Sequence, residues 1–262
     1  MRNPFFQLFW VACCALSLMA QTRLLLGMSL TMGWMDGFVF GGTVFGYHCT
    51  HPNRIYRSIA WVAGFLGGFC FLIQLWSIPG SYWGGLVSAA PMLFWLAYYG
   101  FQRPGKAGLR AHPMAKPLTI ALTWAWVTVL LPIPTDQWAK LHFILLGRAA
   151  FVFALALAYD LCDADYDLRQ GLTTLTRKLG LSKSLMLIDT SLVLSGCCVC
   201  ANWFVHRYEP SFAMGLLASL AFSAWWLRFV LQQKNWEVWQ KPAIDALMVW
   251  QFGIVVLFGF LG

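Results

Sequence analysis

The sequence carries little charge for its length. Of its 262 residues only 11% are charged and 60% are hydrophobic, whereas roughly 25% of an average soluble domain is charged. A soluble core of this size could not bury so much apolar surface. The formal net charge of +8 comes from basic residues scattered singly between apolar runs, without the stripe that nucleic-acid binding requires. This shortage of charge argues against an ordinary soluble domain and against a nucleic-acid-binding protein.

A disulfide framework is also missing. Nearly all of the eight cysteines lie inside apolar runs, where cysteine packs as a small hydrophobic residue. Cys197, Cys198 and Cys200 are close enough for a metal site, but their surroundings are apolar and no histidine is adjacent, so packing is the favoured interpretation. The chain lacks a nucleotide-binding signature, and it lacks the internal repeat that indicates a transporter built from two halves.

What the chain does have is long apolar segments. A membrane-spanning helix needs about 20 apolar residues, because hydrocarbon cannot satisfy a free backbone amide. The pattern predicts an all-α membrane protein, one domain over residues 1–262, in which about nine helices form a bundle. The predicted segments run Pro4 to Gln21, Thr31 to Tyr47, Ser58 to Trp76, Tyr82 to Tyr99, Pro117 to Leu131, Leu141 to Leu161, Leu185 to Val205, Ser211 to Leu231, and Ala243 to Leu261.

The basic residues predict the orientation of this bundle. Most of the 18 Lys and Arg residues fall at the amino terminus and in the second, fourth, sixth and eighth loops. Because positively charged loops stay cytoplasmic, the amino terminus is predicted to be cytoplasmic and the carboxyl terminus outside. Glycines in the second and third segments, such as Gly41, Gly42, Gly64, Gly67 and Gly68, are interpreted as close contacts between helices.

Aspartates concentrate where the sixth segment ends. Asp160, Asp163, Asp165 and Asp167 are four of only ten acidic residues. At about 100° per residue, three of them, Asp160, Asp163 and Asp167, share one face if the helix continues through them. Carboxylates held together are normally kept ionised by cations, and an all-oxygen ligand set favours Mg²⁺ or Ca²⁺. A diphosphate bound through Mg²⁺ is a natural partner for such a cluster.

A simpler interpretation of the cluster stays open. Acidic side chains at a cytoplasmic helix end are often solvated, or they pair with nearby basic residues such as Arg169, Arg177 and Lys178. Gly171 and Gly180 favour more than a solvated end, since Gly180 closes a short basic helical stretch, Thr173 to Leu179.

The string YDLCDADYDLRQGLTTLTRKLG, Tyr159 to Gly180, spaces Asp163, Asp167 and Gly171 four residues apart. This spacing resembles D-x-x-x-D-x-x-x-G, the second aspartate-rich motif of the UbiA-type membrane prenyltransferases. Gly108 to Pro132 also looks like the segment that leads through the fifth helix of that superfamily. Asp245 matches a recurrent acidic position. The chain is therefore similar to this superfamily over about two thirds of its length.

The resemblance implies a ring of helices around a central cavity that opens toward the membrane. In that superfamily, Mg²⁺ holds the diphosphate of an isoprenyl donor, and departure of the diphosphate leaves an allylic cation that a hydrophobic, often aromatic, acceptor captures. For this chain it implies Mg²⁺-dependent prenyl transfer, with Asp163 and Asp167 as catalytic residues and Asp160, Asp163 and Asp167 as metal ligands. The implied location is the inner (plasma) membrane of a bacterium.

This chain departs from the first aspartate-rich motif of that superfamily. Where N-D-x-x-D is expected, Gly46 to Arg57 reads GYHCTHPNRIYR, without a carboxylate. His48 and Asn53 could supply neutral ligand atoms, and Arg54 and Arg57 could bind diphosphate directly. The histidines of this segment could instead hold a softer metal, or the segment could be an ordinary interfacial loop. The missing motif supports a second hypothesis, a relative without transfer chemistry that binds an isoprenoid or another lipid.

Three further basic residues, Arg148, Arg169 and Lys178, complete the predicted substrate site. Arg148 lies inside the sixth segment, where a charge is costly and faces a cavity or a partner. Three roles are open for it: to assist the diphosphate, to meet a carboxylate of the acceptor, or to form an ion pair inside the bundle.

Overall fold

The computed structural model describes residues 4–50, 57–77, 112–164, 174–206, 208–233 and 239–261. Over these residues the chain is helical and contains no strand, so the predicted all-α class is confirmed. The predicted segment Tyr82 to Tyr99 lies outside them. The helices are α1 (Pro4–Leu25), α2 (Trp34–Thr50), α3 (Arg57–Ser77), α4 (Ala115–Ala125), α5 (His142–Cys162), α6 (Leu175–His206), α7 (Pro210–Leu231) and α8 (Gln240–Leu261).

Six of the described helices are long and apolar enough to cross a membrane, namely α1, α3, α5, α6, α7 and α8. Large apolar side chains on them are open to the outside, including Phe65, Trp76, Phe204 and Phe260. Apolar side chains exposed at this density suit contact with lipid. These features indicate a membrane protein, and the total of about nine helices stays a prediction.

Several helix boundaries differ from those predicted. Helix α1 continues past Gln21 to Leu25, because the polar side chains of its last turns are buried against the bundle instead of ending the helix. Helix α4 opens into wider π-helical turns over Trp126–Leu130. The predicted break after the short basic stretch is confirmed: Gly180 has φ 74°, a left-handed conformation that interrupts α6 and favours glycine.

The helix pairs α1 and α2, α4 and α5, and α5 and α8 run antiparallel, so the start of one helix lies beside the end of its partner. One end holds the start of α1, the end of α2 and the end of α5 with Asp160; it is called the aspartate end below. The half of the bundle that holds the start of α5 with Arg148, and the end of α6, is called the arginine half. Contacts from Lys116 to Asp160 and from Gln7 to Tyr47 fix this arrangement.

Helix α5 lies at the centre of the bundle. Of its span 72% is buried, against 11% for α3. Phe151, Leu157 and Ala158 of α5 are fully enclosed, and the helix packs against α4, α6 and α8. The predicted sixth segment is therefore the element that presents its polar side chains, Arg148 and Asp160, to the interior.

Helices α2 and α3 meet through glycines. A Cβ added at Gly41 would lie 2.2 Å from the carbonyl oxygen of Ala63 and 2.9 Å from the Cα of Gly67. This confirms the predicted close helix contact at Gly41 and Gly67. Gly42 also takes part, since its backbone N lies 3.2 Å from a Cβ added at Gly67. A Cβ added at Gly68 meets nothing within 4 Å, so no close contact is shown for that glycine.

Candidate functional site

Asp160 lies in the last turn of α5 with a side chain that is almost completely buried. Its Oδ1 is 2.7 Å from the Nζ of Lys116. Lys116 is the second residue of α4, and because α4 and α5 are antiparallel, the start of one meets the end of the other. A buried carboxylate at this depth requires such a counter-charge.

Asp163 follows directly after α5. The helix ends at Cys162, and Asp163 has the non-helical angles φ −99° and ψ 4°. The sequence spacing assumed a helix that continues through Asp163, and this condition is not met. Asp163 instead forms an ion pair with Lys241, the second residue of α8. The two aspartates reach lysines on two different helices.

A buried polar group continues inward from these ion pairs. The Tyr159 hydroxyl donates to the backbone carbonyl of Lys241 at 3.0 Å and lies within hydrogen-bonding reach of the Asp245 carboxyl group. Asp245 is buried in the second turn of α8, and its Oδ2 has no partner among the described residues. Tyr47 is close to Tyr159, which brings the end of α2 near the aspartates of α5.

The predicted substrate residues of the second loop lie at this end only in part. His48 is buried, and its Nδ1 has no hydrogen-bond partner within the described part of the chain. Arg57, at the start of α3, is exposed. Lys178 is exposed on the short stretch before Gly180. Four predicted site residues, Asn53, Arg54, Asp167 and Arg169, lie outside the described residues, as does Asp165.

The ion pairs of the aspartates differ from the alternative that the sequence offered. Their lysines are Lys116 and Lys241, whereas the sequence suggested Arg169, Arg177 and Lys178. Within residues 112–164 and the other described ranges, no three His, Cys, Asp or Glu side chains come together as metal ligands. The metal site stays a prediction, since Asp167 is outside these ranges.

Two other aspartates have structural partners. Asp36, at the start of α2, accepts hydrogen bonds from Arg23 at 2.9 and 3.0 Å and from the backbone N–H of Gly33 at 2.7 Å, which is a structural contact between α1 and α2. Asp189 forms a partly exposed ion pair with Arg228 of α7. Neither aspartate contributes to the aspartate end's ion pairs with Lys116 and Lys241.

Arg148 is separate from this site. It lies twelve residues before Asp160 in α5, a rise of about 18 Å along the helix axis. Its Nη2 donates to Oε1 of Gln21 at 2.5 Å, and among the described residues it has no carboxylate partner. The ion pair that the sequence left open for Arg148 is not formed within this part of the chain.

Comparison with known proteins finds no matching family model, no similar curated protein and no similar solved structure. Function is therefore argued from the geometry of the two sites.

Sequence reasoning missed the residues that complete both sites. Lys116 and Lys241 were noted only as loop charges, and Tyr159 only as part of a motif. Gln21, Asn202 and Gln251 were not singled out, although each is an amide side chain buried within an apolar helix. An uncharged polar residue inside a predicted span was the available signal, because such residues are rare and face the interior.

Proposed function

We propose that the chain is a membrane prenyltransferase of the UbiA type, which transfers an isoprenyl group from its diphosphate to a hydrophobic acceptor at the aspartate end. The observation that carries the proposal is that Asp160 and Asp163 lie at the end of the central helix, each bound to a lysine from a different helix. Carboxylates and ammonium groups together are the two kinds of side chain that a magnesium diphosphate needs.

The charges of this group predict the order in which ligands bind. The two aspartates and their two lysines carry no net charge, so these four side chains by themselves have no excess negative charge to attract a metal ion alone. A diphosphate would draw Lys116 and Lys241 toward its oxygens and release the carboxylates. We therefore expect metal and diphosphate to bind together, each increasing the affinity for the other.

The oxygen donors of Asp160 and Asp163 fit Mg²⁺ in chemical type. Mg²⁺, when bound, would neutralise the charge that develops on the leaving diphosphate. Lys116 and Lys241 would hold the same oxygens as fixed cations. His48, buried near this end, and the exposed Arg57 and Lys178 would border the donor. In the predicted orientation this end faces the cytoplasm, where a water-soluble diphosphate group is accessible.

The test uses the purified full-length protein in detergent. It is incubated with a labelled isoprenyl diphosphate and with quinone, tetrapyrrole and phenolic acceptors, with and without Mg²⁺. We expect a prenylated product that requires Mg²⁺ and that Asp163→Asn and Asp160→Asn reduce by roughly 100-fold or more. Asp189→Asn is the matched control, because it neutralises an ion-paired aspartate outside the group, and its turnover should equal that of the wild type.

Calorimetric titration supplies a second readout of the same proposal. Mg²⁺ alone should bind weakly, and Mg²⁺ with pyrophosphate should bind much more tightly. Absence of product with every acceptor, together with pyrophosphate binding that neither Mg²⁺ nor Asp163→Asn changes, would contradict the proposed transfer.

A second candidate is a relative that binds an isoprenoid or another lipid without transferring it. It is favoured by the ion pairs themselves, since aspartates neutralised by Lys116 and Lys241 are stable without a metal, and by the lack of carboxylates from Gly46 to Arg57. Saturable binding of an isoprenoid alcohol, which carries no phosphate, by a protein that shows no turnover would identify this candidate.

A further inference from the structure

The arginine half contains a buried cation, Arg148, whose charge is not balanced by any residue that the structure describes. Arg148 is 6% exposed, and the described residues offer it only neutral oxygens: Oε1 of Gln21 at 2.5 Å and Oγ1 of Thr22 at 3.5 Å. A charged side chain inside a membrane protein normally pairs with an opposite charge or faces a water-filled cavity. The absent counter-charge is the first indication of a ligand.

Unused hydrogen-bonding atoms surround the same point. Nη1 of Arg148, Nε2 of Gln21 and both side-chain polar atoms of Asn202 are buried and have no partner in the described part of the chain. Buried polar atoms of this kind are normally satisfied, and leaving each one unpaired costs about 1–3 kcal/mol. Three donor groups and one acceptor beside the Arg148 guanidinium are thus available to a ligand.

These atoms line one cavity of about 40 Å³ between α1, α5, α6, α7 and α8. Gln251 of α8 and Tyr208, in the link between α6 and α7, complete its polar lining. Burial raises the pKa of the Tyr208 phenol above its ordinary value, by more than the nearby Arg148 lowers it, so the hydroxyl keeps its proton. Apolar side chains such as Ile144, Phe151 and Leu216 form the rest of the wall.

The chemistry of the cavity selects the ligand. A cavity needs roughly 10–15 Å³ to hold one water molecule, so a cavity of about 40 Å³ has room for a small polar group such as a carboxylate. The planar guanidinium of arginine matches a carboxylate with two parallel hydrogen bonds. Amide N–H groups from Gln21 and Asn202 would satisfy its remaining lone pairs.

We propose that this cavity is a binding site for the carboxylate group of a small molecule, with Arg148 as its counter-charge and Gln21 and Asn202 as hydrogen-bond donors. The site is independent of the proposed transfer reaction, because it lies about 18 Å along α5 from Asp160. The carboxylate belongs either to a small free acid or to the end of a fatty chain that reaches the cavity from the membrane.

The experiment measures binding of radiolabelled acetate to the purified full-length protein by equilibrium dialysis, with melting temperature as a second readout. We expect saturable binding of acetate that raises the melting temperature. Arg148→Met should weaken binding ~10- to 100-fold, the loss expected for one charge-assisted hydrogen-bonded pair. Asn202→Leu, which keeps the arginine, should weaken it by a smaller factor.

Two controls separate the alternatives. Arg228→Met removes an exposed arginine far from the cavity and should leave acetate binding unchanged. Displacement of acetate by a short-chain fatty acid, at a lower concentration than unlabelled acetate requires, assigns the carboxylate to a membrane acid; displacement at equal concentrations assigns it to a small free acid.

Two results would overturn the proposal. Acetate that shows no saturable binding to the folded wild-type protein would mean that water alone fills the cavity. Acetate binding of equal strength in the wild type and in folded Arg148→Met would place the anion elsewhere. Because neither readout involves prenyl transfer, failure here leaves the proposed function untouched, and failure of the transfer assay leaves this site untouched.

Discussion

The two polar regions of α5 both contain buried charged side chains, but these charges have different partners. At the aspartate end, Asp160 and Asp163 are matched one to one by Lys116 and Lys241. In the arginine half, Arg148 has only neutral partners and the surrounding amides are unsatisfied. The difference between the regions is one of charge, since the described residues supply a counter-charge to each of these two aspartates and none to Arg148. The unbalanced charge is the observation on which the proposed carboxylate site rests.

The largest expected effect comes from breaking the more buried ion pair. Lys116→Met leaves the Asp160 carboxylate buried without its lysine, and we expect a loss of about 3 kcal/mol in the free energy of unfolding, as for other broken buried pairs. Thermal or denaturant unfolding in a defined detergent measures it. The double variant Lys116→Met with Asp160→Asn should recover most of the loss; a double variant as unstable as the single one would show that packing, and not charge, holds the two helices together.

A smaller effect is expected from the corresponding change in the other region. Arg148→Met removes a buried cation that has no carboxylate partner and leaves one acceptor, Oε1 of Gln21, without its donor. We expect a loss of about 1 kcal/mol, the cost of that acceptor, in the same unfolding assay without added acids. A loss as large as that of Lys116→Met would mean that the arginine is already balanced, and the contrast between the two regions would be lost.

The smallest effect is expected at the ion pair whose aspartate is more exposed, Lys241 with Asp163. Lys241→Met breaks an ion pair in which both side chains are partly exposed, so solvent can replace the lost charge. We expect a stability change of about 0.5 kcal/mol, although pyrophosphate affinity should fall if Lys241 binds phosphate oxygens. Unchanged pyrophosphate affinity in this variant would remove Lys241 from the proposed site.

Much of the fold could be predicted from the sequence, because a long apolar run is by itself a strong indication of a membrane helix. Helices α5 and α7 begin and end within two residues of their predicted limits. The end of α1 was placed too early at Gln21, because an amide there resembles a helix terminus when its buried neighbours are unknown. Contacts between residues far apart in the sequence, such as Arg148 and Gln21, could not be predicted. They depend on how each helix is rotated about its axis relative to its neighbours.

The candidate site could be predicted only as a list of residues. The concentration of aspartates pointed to the end of α5, and Asp160 and Asp163 lie there. Their pairing with Lys116 and Lys241 could not be derived, since Arg169, Arg177 and Lys178 are much closer to the aspartates in the sequence. The cavity beside Arg148 also could not be predicted. The sequence does not show that the Gln21 and Asn202 amides, from two different helices, lie together without partners among the described residues.

The break at Gly180 matches α6 to the thickness of a bilayer. A straight helix over Leu175–His206, 32 residues, would be about 48 Å long, longer than a bilayer with its headgroups at about 40–45 Å. Without the segment before Gly180, about 39 Å remains, which fits. The segment before Gly180 stays joined to α6, because the Ser184 hydroxyl donates to the Thr176 carbonyl. Its exposed Arg177 and Lys178 suit the headgroup level, where anionic lipids attract basic side chains. A single glycine thereby divides one run of helix into a part as long as the bilayer is thick and a short basic part.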